Sequence, residues 1–129
     1  MYTSFMILSR KKLLAALREL QQERRRRLRR LTRDHELAVG SVSVVARKCG
    51  NPTCRCATGP GHLQTLFLFS GDDGSRRCKL VRRADEARLQ RAGDRYREFR
   101  EDLKQLRAID RREKEILMAL RDQRAIHYE

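Results

Sequence analysis

The sequence is poor in aromatic residues. Its 129 residues include four phenylalanines, three tyrosines and no tryptophan. Because aromatic side chains supply much of the area that a globular core buries, the core of this chain must be small. The length allows one domain, or a small domain with extended helices. A small core usually needs a metal or a partner subunit for stability, and we expect one of these here.

Long apolar runs are also absent. No stretch approaches the roughly 20 apolar residues that a transmembrane helix needs. The apolar run at residues 5–8 is too short for the core of a secretory signal, and no cleavage site follows it. We therefore expect a cytoplasmic protein without a membrane partner, whose reduced cysteines are available as metal ligands.

Acidic residues are outnumbered by basic ones. The chain has 31 Lys and Arg against 17 Asp and Glu, which gives a formal net charge of +14. Much of this surplus falls in residues 9–33, which contain eleven basic and two acidic residues. Such a surplus on a short chain favours a polyanionic partner, most commonly nucleic acid.

Residues 10–33 have the pattern of an amphipathic helix. Ser9 stands at the position of an N-cap. Leucines recur at steps of three and four, a helical period, at Leu13, Leu17, Leu20, Leu28 and Leu31. Arg24 interrupts this stripe. With the short apolar lead-in at residues 1–8, the pattern predicts an N-terminal basic helical region over residues 1–39.

The basic side chains of this helix predict phosphate contacts, because the guanidinium group matches phosphate oxygens. The candidate residues are Arg24, Arg25, Arg26, Arg27, Arg29 and Arg30. The alternative is a coiled-coil helix whose arginines meet the acidic residues of a neighbouring helix.

Residues 40–83 predict a small three-stranded antiparallel meander. Alternating residues at 42–47, an apolar stretch at 63–70 and a second alternating stretch at 76–83 mark the strands. An Asp-Gly pair at residues 73–74 marks the hairpin turn. Basic side chains of this region extend the predicted nucleic-acid surface, and they are Arg47, Lys48, Arg55, Arg76, Arg77 and Lys79.

Residues 47–62, which we call the knuckle, contain three of the four cysteines and a histidine. They are spaced C-x4-C-x-C-x5-H, at Cys49, Cys54, Cys56 and His62. Thiolates and imidazole gathered on a turn-rich loop are typical of tetrahedral zinc sites, and we predict zinc here. Cys78 is the alternative fourth ligand. Two other interpretations are cysteines that only pack the hairpin base and, less favoured without a secretory signal, a disulfide framework.

No arrangement of Cys, His and Asp typical of an active site is evident, so we predict neither enzyme activity nor a small-molecule substrate. A reactive cysteine at Cys54 or Cys56 is the enzymatic alternative. His35 follows the first helix, where a histidine more often interacts with the helix dipole than with a metal.

Residues 84–129 predict a long coiled-coil-like helix. Residues 84–125 contain no proline and a single glycine, Gly93. Apolar residues step by three and four at Leu89, Ala92, Tyr96, Phe99, Leu103, Leu106, Leu117 and Leu120, with Asp110 and Glu113 in the intervening positions. So long a helix needs a partner, either the first helix folded back antiparallel or a second copy of the chain. Asp110 and Glu113 either fix the register or pair with arginines such as Arg24.

Four features of residues 40–107 occur together. They are Gly-Ser-Val at 40–42, Arg-Lys-Cys-Gly-Asn-Pro-Thr-Cys-Arg-Cys at 47–56, a glycine and a histidine at 59 and 62, and Tyr-Arg-Glu-Phe-Arg at 96–100. In these features the chain resembles a small prokaryotic family of unknown function that is often found near transposase genes. The resemblance implies a mobile-element context and no particular reaction.

These observations predict an α+β chain with an N-terminal basic helix, a three-stranded antiparallel meander carrying a Cys-rich zinc knuckle, and a long C-terminal helix. We predict a zinc-stapled nucleic-acid-binding accessory protein that binds DNA or RNA mainly through phosphates, with the C-terminal helix as a candidate homodimer interface. The alternative is a coiled-coil scaffold subunit that binds an acidic protein partner.

Overall fold

The fold follows the predicted order of elements. The computed structural model describes residues 8–129, so residues 1–7 of the predicted lead-in lie outside the described residues. The elements are α1 (Arg10–Leu31), β1 (Ser41–Arg47), β2 (His62–Ser70), β3 (Arg76–Leu80) and α2 (Glu86–Arg124), with single 3-10 turns at Arg55–Ala57 and Arg83–Asp85. The predicted α+β class, meander and long terminal helix are confirmed.

These elements form two compact units. Of the described residues, the hairpin unit contains 8–33 and Phe99–Glu129, and the sheet unit contains Asp34–Glu98. The three segments predicted from the sequence, residues 1–39, 40–83 and 84–129, follow successive elements. The compact units instead group elements that are distant along the chain, because α2 contributes its beginning to the sheet unit and its remainder to the hairpin unit. None of the described helices combines the length and apolar character needed to cross a membrane.

In the hairpin unit, α1 packs antiparallel on α2. Leu13 near the start of α1 is fully buried in a cluster with Ile116, Ala119 and Leu120 near the end of α2. Further along α1, Arg27 donates from Nη1 to Asp102 Oδ1 at 2.8 Å. Later residues of α1 thus contact earlier residues of α2, as antiparallel packing requires. The partner of the long helix is therefore the first helix of the same chain. The predicted N-cap is also present, since Ser9 Oγ accepts from the backbone N–H of Lys12 at 3.3 Å.

The contact stripe of α2 agrees with the predicted seam at Ala92 and Leu120, which are buried, and differs from it by one residue at other positions. Leu103 and Leu117, predicted as seam positions, are 37% and 54% exposed, whereas Ile109 and Ile116 are buried. Asp102, Ile109 and Ile116 are themselves seven residues apart, so the contact line keeps the heptad spacing but lies one residue before the predicted seam positions there. The one-residue difference places Asp102, only 2% exposed, on the contact line.

Asp102 is held there by two arginines of α1. Its carboxylate accepts from Arg27 and lies 3.3 Å from Arg30 Nε. A buried carboxylate is tolerated only when it is paired and hydrogen-bonded, and both conditions are met. Asp102 therefore takes the place on the contact line that the apolar pattern assigned to the neighbouring Leu103. On α1, Leu28 of the predicted stripe is likewise 42% exposed, while Arg24 and Arg27 lie on the inner side.

The sheet unit has strand order β1-β2-β3, with both pairs antiparallel. Side chains alternate between the two faces of each strand. On one face Val42 contacts the beginning of α2, where a Cβ on Gly93 would lie 3.0 Å from Val42 Cγ2. The backbone N–H of Ala38 donates to Ala92 O at 3.0 Å beside this contact. We call this the covered face, and the opposite side of the sheet the open face.

We expect Asp102→Ala to destabilise the hairpin unit by about 2–3 kcal/mol, because it leaves Arg27 and Arg30 without their buried partner. The value lies below that for a fully buried pair, since the Arg27 side chain is 24% exposed. The measurement is urea unfolding followed by circular dichroism at 222 nm. In the control Asp110→Ala, Arg24 keeps Glu113 at 2.8 Å and the lost carboxylate is 62% exposed, so the expected cost is below about 1 kcal/mol. Equal costs for the two variants would contradict the prediction.

Candidate metal centre

The knuckle connects two strands that lie side by side. β1 ends at Arg47 and β2 begins at His62, and these two residues are directly opposite each other in the ladder. The 14 residues between them therefore leave and re-enter the sheet at the same end of the β1–β2 ladder. Gly61, with φ of +93°, closes the loop so tightly that a Cβ there would lie 2.6 Å from the Arg47 carbonyl carbon. Only glycine fits this position, because the backbone of Arg47 cannot move aside.

Local hydrogen bonds shape the rest of the knuckle. Asn51 Oδ1 accepts from the backbone N–H and hydroxyl of Thr53 at 3.0 and 2.8 Å, an Asx turn. Cys54 then begins the 3-10 turn Arg55–Ala57, which carries Cys56 inward. Lys48 Nζ donates to Ala57 O at 3.1 Å across the base of the loop. These bonds place the cysteine side chains toward one another.

Four potential ligands meet at this point. Their ligating atoms all lie within 4.8 Å of one another, and the residues are Cys49, Cys54, Cys56 and His62. Cys56 Sγ lies 3.4 Å from Cys49 Sγ, and Cys54 Sγ lies 3.2 Å from His62 Nε2. In a tetrahedral zinc site with bonds of about 2.3 Å, ligand atoms are roughly 3.8 Å apart. The four atoms therefore fit around one ion with only small shifts.

The cluster is partly sheltered from solvent. Cys56 is buried, Cys54 is half-buried, and Cys49 and His62 are exposed. The Cys56 sulfur also accepts from the backbone N–H of Cys49 at 3.3 Å, a contact that favours a thiolate. All four cysteines of the chain are free, so the disulfide framework is not formed. The interpretation in which cysteines merely fill a core does not suit the exposure of Cys49.

Backbone N–H groups favour the ionised form of two thiols. The N–H of Cys56, followed by the Cys56 thiol and the His62 imidazole, lowers the pKa of Cys54 to about 6. The N–H of Asn51, followed by the Cys56 thiol, lowers the pKa of Cys49. Both residues are therefore predisposed to supply thiolate, the form that binds metal.

Crowding of negative charge acts on the other two ligands. The backbone N–H of Cys49 favours the Cys56 thiolate, but burial and the neighbouring thiols outweigh it and raise the pKa of Cys56. The same neighbours, Cys49 and Cys54, raise the pKa of His62 because they stabilise imidazolium. The site thus attracts positive charge, and a bound cation would satisfy all four groups together.

The remaining candidate ligands lie elsewhere. Cys78 is exposed on β3, opposite Leu68 in the ladder and outside the cluster. His35 is exposed in the segment between α1 and β1 and is likewise outside it. Of the two proposed fourth ligands, the structure brings His62 rather than Cys78 to the other cysteines. The glycines and prolines of the knuckle, Gly61 among them, indicated a tight turn, but the close approach of Gly61 to the Arg47 backbone follows only from the strand pairing.

The six arginines of α1 predicted to contact phosphates divide into two groups. Arg24 bonds Asp110 and Glu113, and Arg27 and Arg30 both reach Asp102. Arg25, Arg26 and Arg29 are exposed instead, although Arg26 also lies 3.0 Å from Glu23. Both functions considered for this helix, phosphate contact and pairing with a neighbouring helix, thus have residues suited to them.

The six basic residues of the strands and knuckle that were predicted to extend the nucleic-acid surface are all exposed. They are Arg47, Lys48, Arg55, Arg76, Arg77 and Lys79. Arg77 lies 3.9 Å from Asp73 in the hairpin, and both side chains are more than half exposed. No residue between 37 and 71 is acidic, so the knuckle and the first two strands carry positive charge only.

Fold and site together define a small α+β protein with a Cys3His cluster between adjacent antiparallel strands. The family described as a domain of unknown function (DUF6788) matches residues 17–91, more than half of the chain, and the protein belongs to this family. The match includes most of α1, the whole sheet and the knuckle, in agreement with the resemblance to a small family of unknown function. Searches of curated proteins and of solved structures found no match.

In metal-free protein, we expect Cys54 alkylation by iodoacetamide to slow roughly tenfold between pH 7 and pH 5. A thiol with a pKa of about 6 is mostly thiolate at the higher pH and mostly protonated at the lower one, and only the thiolate reacts. The alkylation rate is measured by exposing the protein to short pulses of iodoacetamide in the presence of a chelator, which keeps it metal-free. The modified Cys54 peptide is then quantified by mass spectrometry. Added zinc should protect Cys54 at pH 7. A rate that begins to rise only above pH 8 would contradict the prediction.

Proposed function

We propose that this protein is a zinc-stapled, non-enzymatic accessory protein that binds nucleic acid mainly through phosphate contacts. The observation that carries the proposal is the convergence of three thiols and one imidazole within 4.8 Å in a chain of net charge +14. Its cytoplasmic location and its service to a mobile element belong to the same proposal, and the sequence resemblance supports the latter.

Zinc is the metal that suits this donor set. Three sulfurs and one nitrogen in a compact cluster match the tetrahedral Cys3His sites of structural zinc. Cys49, Cys54, Cys56 and His62 would hold the ion, which would supply a rigid cross-link at the shared end of β1 and β2. Four protein ligands leave no open coordination position for a substrate or a reactive water. This closed set supports a structural role without catalysis.

The outer side of α1 is the surface best suited to a phosphate backbone. Arg18, Arg25 and Arg29 are exposed and spaced by seven and four residues, so they share one side of the helix. At 1.5 Å per residue this outer row extends about 16 Å, enough to contact several phosphates of one strand. Arg24 and Arg27 face α2, and their ion pairs hold α1 so that the outer row points away from it.

We expect about one zinc per chain by inductively coupled plasma mass spectrometry of freshly purified protein. Cys54→Ser should lose most of the zinc and the folded signal of the sheet unit, because one ligand of four is gone. Cys78→Ser is the matched control and should retain zinc, since Cys78 lies outside the cluster. Wild-type protein without metal, or equal metal loss in both variants, would refute zinc binding by this ligand set.

We expect binding to a 20-base-pair DNA duplex to weaken steeply as salt rises, and Arg25→Ala with Arg29→Ala to reduce the slope of log K against log salt by about 2. Fluorescence anisotropy over a salt series measures this slope, and a single strand and an RNA duplex of equal length determine the preferred nucleic acid.

The control for this experiment is Arg107→Ala with Arg111→Ala, which removes the same charge from exposed positions of α2. These variants should leave the slope nearly unchanged. An equal loss in the two double variants would mean that net charge alone attracts the duplex. No measurable binding by the wild type would refute nucleic-acid binding.

A second candidate function is an interaction subunit, as considered from the sequence. The observation in its favour is the exposure of Leu103, Leu117 and Met118 on α2 at 37%, 54% and 40%. Leu103 and Leu117 are two heptads apart, a spacing suited to a further helix from a second copy or another protein. Sedimentation velocity distinguishes the two functions, since a clean dimer that Leu117→Glu dissociates would support the interaction subunit.

A further inference from the structure

The open face of the sheet carries a contiguous exposed apolar patch. Leu68 and Leu80 are 44% and 61% exposed. Leu66 is opposite Leu80 in the ladder, and Leu68 is opposite the exposed Cys78. Cross-strand neighbours on one face lie about 5 Å apart, and residues two apart on one strand lie about 7 Å apart. These side chains therefore adjoin one another, and Val45 on β1 extends them toward the knuckle.

Small polar residues border the patch on the side of β1. Ser41 is opposite Leu68 and Ser43 is opposite Leu66. Because serine side chains are short, the flanks of the two leucines stay uncovered and a shallow trough runs beside β2. Such a surface accommodates a rod with its own apolar side chains, as α2 does on the covered face.

Positive charge stands at both ends of this patch, and negative charge is absent from its strands. Arg47 marks the knuckle end and Arg76 the hairpin end, and both are exposed on the open face. The two acidic residues of the hairpin tip are Asp72 and Asp73, and Asp73 accepts hydrogen bonds from Ser75 at 2.6 and 3.0 Å. The complementary ligand has an apolar middle and carboxylates at both ends.

We propose that the open face docks an amphipathic helix of a partner protein with leucine-like side chains on one side and acidic residues at both ends. β2 extends from His62 to Ser70, about 26 Å between the levels of the two arginines. A helix of about 17 residues covers this distance. The docked helix forms a third layer on the sheet, opposite the beginning of α2.

Two other occupants fit the open face less well. A nucleic-acid strand meets cations only at the two ends, and the leucines between them offer no donor to a phosphate. A second copy of the same face brings a surface whose only charges are arginines against another like it. Charge complementarity therefore favours an acidic protein segment, and this inference does not depend on the proposed nucleic-acid function.

The test uses zinc-loaded full-length protein and a fluorescein-labelled synthetic 18-residue helix with leucines on one side and three glutamates near each end. We expect anisotropy to show saturable binding that Leu68→Ser with Leu80→Ser weakens at least tenfold. The matched control is Val44→Ser with Leu63→Ser, which makes the same chemical change at residues 52% and 77% exposed on the covered face. It should change the affinity less than twofold.

A second variant tests the charges while leaving the apolar patch intact. Arg76→Glu should weaken binding of the glutamate peptide several-fold and strengthen binding of a peptide with lysines in place of the glutamates. Unchanged circular dichroism and zinc content in every variant show that folding is not the cause. Reciprocal changes for the two peptides support docking, and equal changes overturn it.

Five further results would each overturn the proposal. In the first two, the serine variants on the open face leave the peptide affinity unchanged, or the control variants lower it as much as they do. A peptide with serines in place of leucines binds as tightly, which makes the attraction purely electrostatic. A 20-nucleotide strand loses affinity in Leu68→Ser with Leu80→Ser, which assigns the face to nucleic acid. The wild type is a dimer that these substitutions dissociate, which assigns the face to a second copy.

Discussion

The metal centre depends on the pairing of Arg47 with His62 at the end of the β1–β2 ladder. Because the two strands are hydrogen-bonded neighbours, the knuckle must return to its starting point, and its ligands are confined to a small volume. Closing a loop costs conformational entropy. Because the pairing of β1 with β2 already closes the knuckle, metal binding does not incur this cost again. A bound ion would then reinforce the same pairing, so the sheet and the site stabilise each other.

In the hairpin unit, the main constraint is the excess of arginines on α1. Arg24, Arg27 and Arg30 lie against carboxylates of α2, so part of the positive surplus is neutralised within the chain. Asp102 is the most enclosed of these carboxylates, at 2% exposure. The inward arginines fix the orientation of α1, and this orientation keeps the remaining arginines on its outer side. Positive charge thus serves both packing and the proposed phosphate contacts.

The local features of this chain could be predicted from its sequence. Turn residues and alternation located the three strands, Ser9 and the leucine stripe located α1, and the spacing of Cys49, Cys54, Cys56 and His62 predicted a cluster that the structure forms. Such signals depend on residues near one another in the sequence, or on the turn that joins them. From the sequence, His62 is preferred to Cys78 because it closes the same loop as the three cysteines, and the structure places His62 in the cluster and Cys78 on β3, opposite Leu68 and outside it.

The sequence by itself determined which segments are helix, strand and knuckle, since backbone preferences and apolar periodicity act locally. Only the tertiary structure decided which arginines of α1 turn inward, because that depends on carboxylates some 72 to 89 residues away. It also decided which residues of α2 form the contact line, where the pairing of Asp102 prevailed over the burial of Leu103. Finally it decided which face of the sheet meets α2, because strand alternation marks two faces without saying which one another element will cover.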